Sequence, residues 1–258
     1  MKKGLIPPAV LTLLLAAGFG LTPGGFLDKL HFLAAGVCPQ RPGHSLFLGS
    51  VQPPLEARMV GIYGGALLTL AWVWVRRGLR PAGLPPLGLV GLSLLFFGAM
   101  GLDGLNAFLA DLGLPHLYTP TNALRLGTGI LAGVSIGVVF APVVGGALWR
   151  KPVPGPAVGW ADLVPVGLLQ AGLFGAALSG STLMLYPVSA VGVGGVWVLM
   201  GLFNLVVGLY LFGKARRFDG WVEVLPGLSL ALGLALAELM GLAALRFYLE
   251  GLLGLNFR

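Results

Sequence analysis

The segment CPQRPGHSLFLGSVQPPLEARMVGIYGGALLTLAWVWVRR, residues 38–77, joins a polar loop to a long apolar run. The loop carries five reactive or charged side chains, Cys38, Arg41, His44, Glu56 and Arg58. The run that follows is apolar for the roughly 20 residues that a helix needs to cross a bilayer. The segment therefore predicts a membrane helix that begins beside a group of polar side chains.

The composition indicates that the whole chain belongs in a membrane. Of its 258 residues, 57% are hydrophobic and 10% are charged, and the mean hydropathy is +0.92. Soluble domains carry about 25% charged residues. Strands of alternating polarity, which a membrane barrel requires, do not occur. The sequence therefore predicts an all-α, polytopic transmembrane bundle, and the 43 glycines suit close helix packing.

About seven spans are predicted, at Leu5–Leu21, Leu55–Val75, Leu84–Leu105, Asn122–Trp149, Ala161–Leu178, Tyr186–Phe212 and Val224–Arg246. The first could be a signal peptide, but no clear cleavage site follows it, so an uncleaved helix is favoured. Gly25–Val37 is too short to cross the membrane and predicts an interfacial or re-entrant helix. The tail Phe247–Arg258 is expected to lie on the membrane surface.

The linker Pro152–Gly159 suggests two parts. Residues 1–151 would form a four-helix membrane unit with an outer polar loop, and residues 152–258 three further membrane helices and the tail. Gly61 and Gly65, and likewise Gly129, Gly133 and Gly137, are spaced four apart. This spacing predicts small-residue faces that pack within the chain, with a homodimer seam as the lesser alternative.

The distribution of basic residues predicts that the N-terminus is inside and the C-terminus outside. With this topology, 10 of the 16 Lys and Arg residues lie on the cytoplasmic side, in four clusters: Lys2, Lys3, Arg76, Arg77, Arg80, Arg150, Lys151, Lys214, Arg216 and Arg217. The net charge of +7 is explained by these anchors, so no nucleic-acid partner is expected. The inner loops are otherwise expected to be plain basic anchors.

Polar side chains from separate spans are expected to converge near the outer surface. They are Arg58, Asp103, Asn106, Asn122 and Arg125. A charge within the apolar zone is costly unless it is paired, so Asp103 is expected to pair with Arg125 or Arg58. Two arginines at this depth could hold a phosphate or carboxylate. The alternative is a structural ion pair, or arginines that extend toward the lipid headgroups.

Three further outer residues, His31, His44 and Glu56, are candidates for the same ligand-binding site. Thiolate, imidazole and carboxylate all bind zinc, but the spacing of Cys38, His44 and Glu56 matches no standard site, so no metal and no cofactor are predicted. Glu238, near the middle of the last span, is a candidate for proton coupling, or is simply protonated or paired.

The chain resembles the DUF2085 family of bacterial membrane proteins over about residues 25–140. The resemblance rests on Cys38-Pro-Gln-x-Pro-x-x-Ser-x-Phe-x-Gly, on Pro54-Leu-x-Ala-Arg-x-x-Gly-Ile-Tyr-x-Gly, and on Asp103-Gly-x-Asn and Thr121-Asn-x-x-Arg-x-x-Thr-Gly. The family pattern implies a Cys-His-Cys site, but Pro39 and Glu56 replace the histidine and the second cysteine here. The family implies no established function.

The sequence leaves three functions open. The favoured one is binding or transport of a small anionic solute or lipid headgroup at an extracytoplasmic pocket in a bacterial inner membrane, with membrane lipid as a partner. The alternatives are a non-catalytic subunit that meets partner membrane subunits, and a membrane enzyme acting on a lipid or isoprenoid headgroup. In the enzyme, His31 or His44 would act as the base.

Overall fold

The computed structural model describes residue 12 and residues 17–254 of the chain. Its helices are α1 (Phe26–Ala35), α2 (Ala57–Arg77), α3 (Leu87–Asp111), α4 (Asn122–Leu148), α5 (Leu163–Leu178), α6 (Leu185–Leu211) and α7 (Trp221–Leu253). Short 3₁₀ turns lie at Pro42–His44, Trp160–Asp162 and Thr182–Met184. Two short strands, β1 (Pro81–Gly83) and β2 (Val153–Pro156), pair in parallel.

The prediction of an all-α polytopic bundle is confirmed. Six helices within the described residues, α2 to α7 with their adjoining turns, are long and apolar enough to cross a membrane. The predicted first span, Leu5–Leu21, falls mostly outside the described residues, so the seventh span and the orientation of the termini stay predictions. The short helix predicted within Gly25–Val37 is present as α1.

Local chemistry sets the ends of several helices. The Thr121 hydroxyl caps α4 by accepting a hydrogen bond of 3.2 Å from the Leu124 amide. Gly78 and Gly254 end α2 and α7 in the left-handed conformation, at φ 61° and 63°. Because α7 continues to Leu253, most of the predicted tail is helical, and its position on the membrane surface stays a prediction.

Helix α4 forms the centre of the bundle and packs closely on α2. A Cβ atom added at Gly61 would lie 2.5 Å from the Leu126 carbonyl oxygen, and one at Gly133 would overlap the Ile62 carbonyl oxygen. The two glycine faces therefore meet within one chain, as the sequence predicted. In α2, a π-helical turn at Val60–Gly64 begins two residues after Arg58, and such turns are frequent beside functional sites.

At the other end of the bundle, the structure differs from the expectation of plain basic anchors. Asp162 is buried there, and its carboxylate accepts hydrogen bonds from Trp72 Nε1 at 2.9 Å, from the Gly159 amide at 2.8 Å and from Arg76. The strands β1 and β2 also pair there. Each lies in a Pro- and Gly-rich loop, and its backbone groups form hydrogen bonds with the backbone of the other.

Candidate functional site: an arginine-lined pocket

An ion pair between Arg58 and Asp103 joins the start of α2 to α3. Arg58 Nη2 donates to Asp103 Oδ2 at 2.6 Å, and Asp103 is only 2% exposed. The Tyr118 hydroxyl donates to Asp103 Oδ1 at 2.8 Å, and Thr128 Oγ1 donates to Oδ2 at 3.0 Å. Of the two arginines expected as partners of Asp103, the structure therefore pairs it with Arg58.

Asn106 fixes the loop between α3 and α4, one turn of helix after Asp103. Its side-chain oxygen accepts from the Leu117 amide at 2.7 Å, and its Nδ2 donates to the Tyr118 carbonyl at 2.8 Å. These bonds hold Tyr118 over the Asp103 carboxylate. Asn106 thus positions the site without lining its cavity.

Asn122 connects the start of α4 to the loop that follows α1. Its Nδ2 donates to the Ser45 carbonyl at 2.9 Å, and its oxygen accepts from Arg125 Nη1 at 2.9 Å. Arg125 Nη2 lies 3.4 Å from His44 Nε2. Through these contacts, α4 presents a buried guanidinium to the polar loop.

Glu56, His44, Arg41 and Asp111 form a charged cluster beside Arg125. Glu56 Oε1 accepts from the Arg41 amide at 2.9 Å and from Arg41 Nε at 3.2 Å, and Glu56 Oε2 lies 3.7 Å from His44 Nδ1. Asp111 lies 3.3 Å from His44 Nε2, 3.4 Å from Arg41 Nη1 and 3.8 Å from Arg125 Nη2. Charges from four parts of the chain therefore converge at one place.

These side chains line one cavity of about 230 Å³, which we name the arginine pocket. Its charged and imidazole lining consists of Arg41, His44, Glu56, Arg58, Asp111 and Arg125, and its apolar wall is formed by Pro39, Met59, Gly104, Ala107 and Phe108. Arg58 Nε is buried there with no hydrogen-bond partner among the described residues. A buried donor of this kind is costly unless something accepts from it.

The electrostatics of the arginine pocket favour the neutral form of His44. Burial, followed by the positive charges of Arg125 and Arg41, lowers the pKa of His44 below its ordinary value of 6.5. Asp111 and Glu56 act in the opposite direction but more weakly. Burial and the hydrogen bond to Asp103 raise the pKa of Tyr118, so its phenol remains a hydrogen-bond donor.

Cys38 lies behind the arginine pocket. Its sulfur is buried and accepts a hydrogen bond of 3.3 Å from the Glu56 amide, and burial raises the pKa of its thiol. A thiol in such surroundings is inert rather than nucleophilic. Across residue 12 and residues 17–254, no group of three or more His, Cys, Asp or Glu side chains is arranged to hold a metal ion.

His31 lies apart from the other predicted ligand-binding residues. It borders a second cavity with Asp28, Gln52 and Phe247, and its Nε2 is 3.1 Å from the Gln52 carbonyl oxygen. Gln40, in a left-handed conformation at φ 63°, donates to the His31 carbonyl at 2.8 Å and to that of Pro54 at 3.0 Å. The side chain of His31 therefore borders this second cavity and not the arginine pocket.

Glu238 also lies elsewhere, on α7. Its carboxylate accepts a hydrogen bond of 2.9 Å from Asn204 on α6. The pair borders an apolar groove walled by Ile136, Phe140, Leu199, Met200 and Phe203. A role in proton coupling stays a prediction, and nothing in the described contacts links Glu238 to the arginine pocket.

The sequence did not single out Arg41, Asp111, Tyr118 and Thr128 as members of the site. Arg41 and Tyr118 lie in loops and Asp111 at the end of α3, where no periodic pattern indicates the direction of the side chain, and Thr128 is a neutral residue within α4. Arg41 lies within the Cys38-Pro-Gln motif region, and Tyr118 precedes the Thr121-Asn motif closely. The proximity of Arg41 and Tyr118 to these motifs is the sequence feature that indicates their membership of the site.

Comparison with known proteins confirms the resemblance seen in the sequence. A search of curated proteins and a search of solved structures each found no match. Among family models, the one described as predicted membrane protein (DUF2085) matches residues 38–139. That range holds every residue that lines the arginine pocket, whereas α5, α6 and α7 lie beyond it. The chain is thus a multi-pass membrane protein whose residues 38–139 match the DUF2085 family.

Proposed function

We propose that the arginine pocket binds a small anion or the anionic headgroup of a lipid. The observation that carries this proposal is that Arg41, Arg58 and Arg125 line one cavity of about 230 Å³ at the end of the membrane helices. Guanidinium groups bind carboxylate and phosphate through paired hydrogen bonds, and they do so most strongly where water is partly excluded.

The arginines differ in how closely the protein's own carboxylates pair with them. Arg58 has a close carboxylate partner in Asp103, yet its Nε has no hydrogen-bond partner within the described part of the chain. Arg125 is 7% exposed, its hydrogen bond of 2.9 Å goes to the neutral Asn122, and the carboxylate that pairs with it lies 3.8 Å away on Asp111. A buried guanidinium with so distant a counterion favours an additional anion, so Arg125 is the principal binding residue in this proposal.

The wall of the arginine pocket supports either a solute or a lipid headgroup. Met59 and Phe108 line one side, and Phe108 is 59% exposed on the outside of α3. A lipid could therefore place its phosphate among the arginines and its chains along α3. An extracytoplasmic position for the pocket, in a bacterial inner membrane, follows from the basic residues and forms part of the proposal.

Anion binding to the purified protein in detergent tests the proposal. Isothermal titration with phosphate, sulfate, a short carboxylate and a short-chain anionic lipid is expected to show saturable binding of at least one of them. Arg125→Gln should weaken that binding by at least tenfold, because it removes the principal cation. Arg150→Gln is the matched control, since Arg150 lies at the opposite end and is paired with Asp219 on the surface. Absence of binding to the whole panel would refute the proposal.

Transport of the same anion is a second possibility, and binding is the part that the geometry supports. Coupling through Glu238 would need a route between the α6–α7 groove and the arginine pocket. Flux into proteoliposomes that depends on a bound anion, and that Glu238→Gln stops without weakening binding, would establish transport.

A further inference from the structure

We infer that the arginine pocket selects a phosphate group that still carries a proton and discriminates against sulfate and phosphate diesters. The protonated oxygen of the phosphate donates a hydrogen bond to the Asp111 carboxylate. This inference rests on the proposed function and specifies its ligand. Its basis is that the pocket presents carboxylates to the ligand as well as guanidiniums.

The two carboxylates of the cavity are held differently. Glu56 is buried and accepts two hydrogen bonds from Arg41, at 2.9 and 3.2 Å, so its oxygen Oε1 is committed to the protein. Asp111 is about one-third exposed, and its contacts with His44, Arg41 and Arg125 measure 3.3, 3.4 and 3.8 Å. Asp111 therefore has lone pairs that a ligand can use.

An ionised carboxylate accepts hydrogen bonds and donates none. Facing an oxyanion without a proton, Asp111 would place like charge against like charge, which opposes binding. Facing an oxyanion with a proton, it accepts an O–H···O⁻ bond, among the stronger hydrogen bonds in proteins. The same side chain thus rejects sulfate and accepts protonated phosphate.

The charge balance of the pocket agrees with this reading. Arg58 is compensated by Asp103 and Arg41 by Glu56, while burial and the neighbouring arginines lower the pKa of His44 and favour its neutral form. Arg125 is therefore the cation that pairs with the ligand anion, and Asp111 is the acceptor of the hydrogen bond from the ligand's proton. The shared ligand chemistry is a phosphate or a phosphate monoester, which is either a free solute or the headgroup of a lipid.

Binding to the purified full-length protein at constant ionic strength tests the inference. At pH 7, inorganic phosphate carries at least one proton and sulfate carries none, so phosphate is expected to bind at least tenfold more tightly. Asp111→Asn should reduce the ratio of phosphate affinity to sulfate affinity to near one. The Asn amide can donate a hydrogen bond to sulfate, so sulfate is no longer rejected. Asp219→Asn is the matched control, since Asp219 pairs with Arg150 on the surface of the opposite end, and it should leave the ratio unchanged.

The source of the phosphate is decided by two further probes. Short-chain phosphatidate, a monoester, should compete with inorganic phosphate, and increasingly so as the pH falls through about 6, where a monoester takes up its proton. Short-chain phosphatidylglycerol, a diester, should not compete. Phosphatidate binding more tightly than inorganic phosphate indicates a lipid headgroup, and the reverse indicates a free solute.

The two proposals fail in different ways. Equal binding of sulfate and phosphate by the unsubstituted protein would overturn the inference and leave anion binding standing. A diester that competes as well as the monoester would overturn it too. If no anion binds, the proposed function fails and this inference fails with it. If Asp111→Asn does not fold, the ratio of phosphate to sulfate affinity in the unsubstituted protein still decides whether the inference stands.

Discussion

At the scale of single residues, Arg58 and Asp103 show why a charge can occupy the start of a membrane helix. The Asp103 carboxylate receives hydrogen bonds from Arg58, Tyr118 and Thr128, so little of its charge is uncompensated. A buried charge that loses its partner is strongly destabilising, whereas an intact pair is close to neutral in free energy. The pair therefore ties the start of α2 to α3.

Asp103→Asn tests this role. The amide keeps an acceptor for Tyr118 but leaves the Arg58 charge unpaired, so the free energy of unfolding should fall by about 3 kcal/mol, the low end for a buried pair, because Arg58 is partly exposed. Thermal denaturation in detergent measures the change. Asp219→Asn, which breaks an exposed pair, should cost less than about 1 kcal/mol. Equal losses in both variants would contradict the assigned role.

His44 predicts a dependence of stability on pH. Because the folded protein lowers the pKa of His44 below 6.5, the unfolded chain binds this proton more readily. Stability should therefore be fully present above pH 6.5 and fall as the pH drops from 6.5 toward the lowered pKa, by about 1.4 kcal/mol for each unit of pKa difference. Arg125, Arg41, Asp111 and Glu56 are the charged groups that face His44.

Thermal denaturation of the protein between pH 5 and 8 measures this contribution. His44→Gln should flatten the profile in that window. His116→Gln should not, since His116 is exposed in the loop after α3 and serves as the matched control. A profile that keeps its slope in His44→Gln would assign the dependence to another group.

At the scale of elements, the contact between α2 and α4 depends on glycine. Gly133 faces the Ile62 carbonyl so closely that any side chain would overlap it. Gly133→Ala should therefore destabilise the protein by about 1–3 kcal/mol through overpacking. Gly91→Ala, in α3 with open space around it, should be neutral or slightly stabilising because alanine favours helix. Denaturation of both variants in the same detergent is the measurement.

Helix α7 supports the arginine pocket from outside the family match. Arg246 donates to the carbonyl oxygens of Ala35 at 3.1 Å, Cys38 at 2.6 Å and Pro39 at 3.0 Å. It thereby holds the end of α1 and the loop that forms one wall of the pocket.

Arg246→Gln should loosen that loop, because one amide cannot replace three bonds from a guanidinium. Faster hydrogen exchange at residues 36–41, and weaker anion binding, are the expected results. Glu250→Gln is the control, since it removes only the i,i+4 partner of Arg246. Unchanged exchange in Arg246→Gln would show that the loop is held by its other contacts, such as those of Gln40.

At the scale of the whole molecule, the two ends of the bundle differ in their chemistry. One end holds the arginine pocket, and the other holds Asp162 with Arg76 and Trp72 beneath a pair of short strands. The basic clusters predict that the second end is cytoplasmic. Introduced cysteines test this, since Cys38 is buried and should react little.

In intact cells, a membrane-impermeant maleimide should label Pro115→Cys, in the loop between α3 and α4, and should not label Lys214→Cys, between α6 and α7. After permeabilisation both should react. The reverse pattern would place the arginine pocket on the cytoplasmic side and leave its geometry intact.

The sequence by itself determined the membrane class, the number and approximate bounds of the described spans, and the small-residue faces. Hydropathy, loop composition and glycine spacing are properties of successive residues, so they can be read without the fold. The candidate residues Arg58, Asp103, Asn122 and Arg125 were found for the same reason, because a charge or amide near the end of an apolar run stands out along the chain.

Only the tertiary structure decided which of these side chains meet. It paired Asp103 with Arg58, brought Arg41 and Asp111 from separate loops to Arg125, and placed His31 and Glu238 elsewhere. At the opposite end, the contacts of the buried Asp162 with Trp72 and Arg76, and the pairing of the two strands, likewise join residues that are far apart in the sequence. Local pattern carries no information on such contacts, because the packing of α2, α3 and α4 sets the distances.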